Sequence, residues 1–277
     1  MAAADKRRRL IVNADDFGRS AEINAAVIRA HREGILTSAS LMVTGAASEE
    51  AVRLAREHPR LGVGLHLTLV CGHAALSAAE IPGLADAKGE FDSNPVRAGL
   101  RYFFQRKLRA QLRHEIAEQF RRFHQTGLAL DHVNGHLNIH LHPAVFDILM
   151  ENADAWGIRR FRLTRDLFGL NAALAKGRWL YRISHAIVFG ALSKRAEPAL
   201  RRRGIRYVDR VFGLLQTGCV DEGFIVRLID RLPPGDSELY SHPSLKEFSH
   251  EFEALLSPAI RRALSAAEID LARYQDL

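Results

Sequence analysis

Short apolar runs recur along the 277-residue chain, separated by stretches too long for hairpin turns. Leu10–Asn13, Thr37–Thr44, Leu61–Leu69, Leu128–Val133, Ile158–Leu163, Ile205–Phe212 and Glu238–Ser241 read as strands, being short, rich in aliphatics and free of proline. The intervening stretches have helical spacing. Ser20 caps a helix that turns Ile23, Val27 and Ala30 inward and ends near Gly34. Ser48, with Glu49 and Glu50 in the first turn, opens another that stops at Pro59. Pro143 opens a third, carrying Val145, Phe146, Leu149 and Met150, which Gly157 closes. Asp221–Leu232 and Glu247–Leu256 add two more, and Ser265-Ala266-Ala267-Glu268 has the capping-box pattern of a last helix.

Seven alternations of strand and helix without a hairpin signal predict an α/β fold with a parallel sheet. The polar residues of interest are spread over strands one, three, four and seven. That spread favours a distorted TIM-like (β/α) barrel over a flat doubly wound sheet, whose site gathers at one switch point. One domain is expected over residues 1–277. Residues 71–96 interrupt the rhythm with Gly72, Pro82, Gly83, Gly89 and Pro95, and a loop of that length reads as a flap over the barrel mouth.

Composition adds three constraints. A chain that is 47% hydrophobic can fill a large core. Cys71 and Cys219 have no CxxC spacing, so a reducing cytosol is the expected compartment. Lys6-Arg7-Arg8-Arg9 is followed by only three aliphatics, too few for a signal segment, and no stretch approaches the ~20 apolar residues of a membrane span. The net charge of +7 is uneven: residues 97–122 carry +6 and 176–210 carry +8, leaving −7 for the remainder.

The candidate chemistry sits at the ends of the strand-like runs. Asp15 and Asp16 follow the first strand, where alternation sends them to opposite sides. One is then free to bind a cation while the other accepts a proton, and a cation offsets the repulsion between them. His66 lies inside the third run. His132, His136, His140 and His142 crowd eleven residues, a density pointing to a site, and His242-Pro243 closes the seventh run.

These residues resemble a known family. Leu10-Ile11-Val12-Asn13-Ala14-Asp15-Asp16-Phe17-Gly18, Gly34-Ile35-Leu36-Thr37-Ser38, Gly64-Leu65-His66, Asn134-Gly135-His136 and Ser241-His242-Pro243 look like the YdjC-like carbohydrate deacetylases, which include the chitooligosaccharide deacetylases. The resemblance implies a barrel related to that of the polysaccharide deacetylases. It also implies one divalent metal, zinc or magnesium, held by Asp16, His66 and His136, with Asp15 as general base and His242 as general acid. His132, Asn138, His140 and Arg162 become expected substrate contacts. Where members of the family often carry consecutive histidines, this chain has His136-Leu137-Asn138. The whole chain is similar to the branch associated with hopanoid biosynthesis, which implies an acetylated amino sugar on a lipid as substrate. Soluble chitin-type oligosaccharides are the alternative, and a non-catalytic barrel binding lipid or a partner is the reading from another class.

Two basic segments, about 97–124 and 171–203, interleave arginines with apolar residues. Leu180, Ile183, Ile187 and Ala191 form one helical stripe. Such helices either bury that stripe against a barrel or lie on an anionic membrane. No nucleic-acid recognition motif is present. The expectation is a cytoplasmic protein, peripheral on the inner face of the membrane, with homodimerisation left open.

Overall fold

A computed structural model describes residues 7–277; Lys6, and the first six residues of the expected domain, lie outside the described residues. Seven strands form one parallel sheet: β1 (Arg8–Phe17), β2 (Ser38–Leu41), β3 (Gly62–Leu67), β4 (Val133–Gly135), β5 (Arg210–Phe212), β6 (Gly235–Ser241) and β7 (Ile269–Ala272). The order is β4-β3-β2-β1-β6-β5. The lower part of β1, from Arg8 to Ile11, pairs with β7, and its upper part pairs with β2.

The helices are α1 (Ala21–Glu33), α2 (Ser48–Glu57), α3 (Pro95–Phe104), α4 (Leu108–Gln125), α5 (Pro143–Glu151), α6 (Phe168–Leu174), α7 (Trp179–Arg202), α8 (Glu222–Asp230), α9 (Ser249–Leu256) and α10 (Pro258–Ala266). Their starts follow capping chemistry. Ser20, Asn94, Asp221 and Ser257 accept backbone N–H groups of the first turns of α1, α3, α8 and α10. Parallel β/α connectivity carries every strand end with the expected site residues to one face, since each helix returns the chain to the start of the next strand.

The sheet is curled rather than a regular closed barrel. The expected strand Ile158–Leu163 forms only single bridges, Val133 to Phe161 and Arg160 to Arg206, and these span the gap between β4 and β5. The expected helix at Ser265 is replaced by α10, which starts eight residues earlier at Ser257-Pro258 and is followed by β7. Beyond β7, Tyr274 is fully buried beneath the sheet's curl, beside Ile11, Val208, Val211 and Tyr240. The 71–94 loop folds back on α4. The buried Glu115 carboxylate accepts the N–H groups of Ala75 (2.8 Å) and Leu76 (2.9 Å), and Gln111 accepts that of Gly83 (2.8 Å).

Candidate metal centre

The inside of the curl is polar because alternate strand positions point into it. Gly62, Gly64 and His66 share one face of β3, and Asn13 and Asp15 share one face of β1. A Cβ on Gly64 would come within 2.6 Å of the His132 ring and carbonyl, so only glycine lets the His132 side chain enter here. Asp16 breaks the alternation. Its φ is 64°, and the β1–β2 register shifts between Ala14 and Phe17. Asp16 therefore does not point away from Asp15 as strict alternation predicts. Both carboxylates approach His66, Asp15 Oδ1 at 3.9 Å from Nδ1 and Asp16 Oδ1 at 3.4 Å from Nε2.

Asp16, His66 and His136 converge: one ligand atom from each lies within 4.8 Å of the others. Asp16 Oδ1 is 2.9 Å from His136 Nδ1, and the two imidazoles meet edge to face with centroids 5.6 Å apart. His66 Nδ1 is 2.8 Å from Asn134 Oδ1. An amide oxygen only accepts, so the proton sits on His66 Nδ1 and is donated to Asn134, which leaves the Nε2 lone pair facing Asp16, the orientation a ligating histidine needs. Arg19 holds the other Asp16 oxygen at 2.9 Å. Burial would raise the Asp16 pKa, but His136 and His66 outweigh it and hold the carboxyl well below its usual range. Two imidazoles and one carboxylate on a partly open face fit a divalent ion with coordination positions to spare.

Asp15 lies beside this cluster in a second, drier network. Arg162 donates to both its oxygens (2.7 and 2.9 Å) and to Glu238 (2.6 Å from Nη2), and its guanidinium lies 4.4 Å from the Tyr240 ring centroid. Tyr274 donates to Glu238 from below. Asn13 and Asn134 amides also reach Asp15 Oδ1, at 2.9 and 3.2 Å, and both donate to Ser40. Burial pushes the Asp15 pKa up, yet Arg162 and His66 prevail and keep the carboxyl ionised. His242 sits partly exposed at the end of β6; its backbone N–H donates to the fully buried Glu251 (2.6 Å), whose Oε2 lies 3.9 Å from Nδ1.

The remaining expected site residues divide. Arg162, His132 and His140 have no solvent exposure, and Arg162 lies against the Asp15 carboxylate. His132 bridges Asp131 (3.0 Å) and Ser40 (2.9 Å) and stacks on Tyr274. His140 Nε2 donates to the Arg162 carbonyl (2.9 Å), and burial pushes its pKa down to about 3, leaving it neutral. Asn138 stays close to the mouth. It forms a left-handed pair with Leu137 (φ 57° and 51°), and its amide oxygen accepts from Thr164 at 2.8 Å. The sequence reading missed Glu238, Glu251, Ser40 and Tyr274. An acid directly before the Leu239-Tyr240 pair was the available signal for Glu238.

A curled parallel α/β sheet with a His/His/Asp group at its strand ends defines an α/β protein whose strand-end residues could hold a metal ion. The chain belongs to the YdjC-like protein family, whose model it matches over residues 9–266. It is 41% identical over 150 residues to a carbohydrate deacetylase of Brevibacillus brevis, covering 54% of this chain and 57% of that protein. Thus the chain matches little more than half the length of that relative. A carbohydrate deacetylase of Mus musculus is 28% identical over 98% of this chain and 95% of its own. A solved structure from Enterococcus faecalis, described as a cellobiose-phosphate cleavage protein, superposes with a TM-score of 0.76 at 23% identity, covering 98% of both chains. That likeness confirms the fold.

Proposed function

We propose that this protein is a metal-dependent hydrolase that removes the N-acetyl group from an acetylated amino sugar. The observation that carries the reading is the Asp16–His66–His136 cluster beside an Asp15 held ionised by Arg162. Membership of a family whose relatives include carbohydrate deacetylases supports it. Zinc suits two nitrogens and one oxygen best, with magnesium as the alternative. Such an ion supplies Lewis acidity and lowers the pKa of water from ~15.7 toward ~7.

The chain's own residues do the rest. Asp15 Oδ2 has a single donor, Arg162 Nη1, and keeps a lone pair free to take the proton of the attacking water. Arg162 stays charged, offsetting the buried Asp15 and Glu238 carboxylates and fixing the direction of Asp15. His242, whose backbone N–H is held by Glu251, gives its proton to the departing amine nitrogen as the C–N bond breaks, releasing acetate and the free amine. Asn138, on its left-handed turn at the mouth, is the substrate contact; Arg162, His132 and His140 hold the machinery from beneath. The sugar is carried on a lipid, an N-acetylglucosaminyl hopanoid, and is reached from the cytoplasmic face of the membrane. Exposed apolar side chains of α3 and α7 support that part. Among the described residues, no helix is long and apolar enough to cross a membrane.

Acetate release from an N-acetylglucosaminyl lipid and from chitobiose, with and without chelator, tests the reading. Chelator should abolish release. Asp15→Asn should keep bound metal yet lose turnover by about 10²–10⁴-fold, whereas His136→Ala should lose both. Release that survives chelation, or an Asp15→Asn enzyme of normal rate, would refute the assignment.

A further inference from the structure

Soluble helices bury their apolar stripe and expose their charges. The first half of α7 does the reverse. Arg182 is fully buried, donating to Asn171 (2.9 Å) and the Ala175 carbonyl (3.0 Å), while Leu180, Ile183 and Ile187 point to solvent along one stripe. Leu180 is 88% exposed and Ile187 67%. Helix α3 behaves similarly. It rests on Ala98 and on Tyr102, whose hydroxyl donates to the Leu69 carbonyl (2.7 Å), and exposes Val96, Leu100, Phe103 and Phe104.

Contacts put both helices beside segments that follow strand ends: His142, six residues after His136, donates to the Gly99 carbonyl of α3 (3.0 Å), and Tyr181 of α7 donates to the Leu214 carbonyl (3.1 Å), two residues after β5. The chain leaves the upper end of β3 to reach α3, leaves β4 to reach the exposed Leu137 beside His136, and leaves the Phe161 bridge to reach α7. Among the described residues, nine of the twelve large exposed hydrophobics lie in these two helices, four in α3 and five in α7. A concentration of that kind marks an interaction surface. Charge says what covers it. Residues 93–114 and 167–196 contain no aspartate or glutamate at all. Within them Arg106, Lys107 and Lys176 are exposed and pair with no acid among the described residues.

We propose that the exposed faces of α3 and the first half of α7 form a docking surface for an anionic phospholipid bilayer, which turns the Asp16–His66–His136 opening toward the lipid. Apolar side chains enter the headgroup boundary while Arg106, Lys107 and Lys176 meet phosphate. The surface deepens the deacetylase reading, rests on it only for what the bilayer would present, and stands on its own geometry.

Flotation with phosphatidylcholine vesicles, with and without phosphatidylglycerol, tests it on the full chain. The wild type should bind the anionic vesicles and dissociate at high salt. Leu180→Glu with Ile187→Glu should abolish binding, and Arg106→Gln with Lys107→Gln and Lys176→Gln should weaken it about 100-fold. Both variants should keep the wild-type melting temperature and release acetate from chitobiose, if the wild type does, at the wild-type rate. Equal binding by wild type and Leu180→Glu/Ile187→Glu would overturn the docking surface. So would the absence of vesicle binding together with self-association that the same pair of substitutions removes. Vesicle binding without acetate release from any N-acetyl sugar would leave the surface standing and refute the activity.

Discussion

Asp166 is a carboxyl held in its acid form by its surroundings. Its Oδ1 is shut off from solvent without a hydrogen-bond partner, and Oδ2 accepts a long bond from the Leu215 N–H (3.3 Å). Burial raises its pKa to about 7, against which two backbone N–H groups and Arg182 work weakly. In the unfolded chain the group ionises near 3.8, whereas the folded state keeps the proton until about 7. Between those values the native state binds more protons, so stability falls as pH rises through the window and then levels off. The loss is at most about 4 kcal/mol, from a shift of about three pH units at ~1.4 kcal/mol each. His140 acts the other way: its pKa, lowered to about 3, makes stability rise with pH between about 3 and 6.5. Comparison with Asp166→Asn separates the two, because the amide keeps an acceptor for Leu215. The variant should gain melting temperature over the wild type from mildly acidic to neutral pH and differ little at acid pH. A constant difference across that range would show that Asp166 is ionised throughout.

At the scale of the element, β3 shows how a strand is made to carry a site. Gly62 and Gly64 occupy the same face as His66, and the buried Asp131 and His132 side chains fill the space that their missing Cβ atoms leave. Gly64→Ala should cost about 1–3 kcal/mol, since the clash includes the His132 backbone carbonyl and cannot be relieved by a rotamer change. Chemical denaturation would read it; an unchanged midpoint would mean that β3 and β4 separate freely. The strand-end residues Asp15, Asp16, His66 and His136 were legible in the sequence because polar types interrupted apolar runs at strand ends. The side-by-side position of Asp15 and Asp16 was not legible, because it depends on the left-handed Asp16. Arg162, Glu238 and Tyr274 meet through contacts between residues far apart in the chain, which periodicity does not record. β7 was missed because Ser265-Ala266-Ala267-Glu268 satisfies a capping pattern that α10, already begun at Pro258, made unnecessary.

For the whole molecule, the ligand set is a clasp as well as a reaction centre. Asp16, His66 and His136 come from β1, β3 and the turn after β4, and β2 lies between the first two. Asp15 and Asp16 are both ionised and nearly buried, and beyond the neighbouring histidines they are paired with Arg162 and the half-exposed Arg19. A divalent ion would relieve that concentration of negative charge and tie the three segments together, and the unfolded chain offers no such arrangement. Binding to the folded state alone adds about 2.7 kcal/mol at a hundredfold excess over Kd. For a chain of this size that corresponds to roughly 5 °C in melting temperature. Zinc or magnesium added to metal-stripped protein should therefore raise the melting temperature in a concentration-dependent way. His136→Ala should lose the response, while Asp15→Asn should retain it, since Asp15 lies outside the ligand set. A wild-type melting temperature indifferent to zinc, magnesium and manganese would mean that the cluster is held by its own hydrogen bonds and that the reaction runs without an ion there.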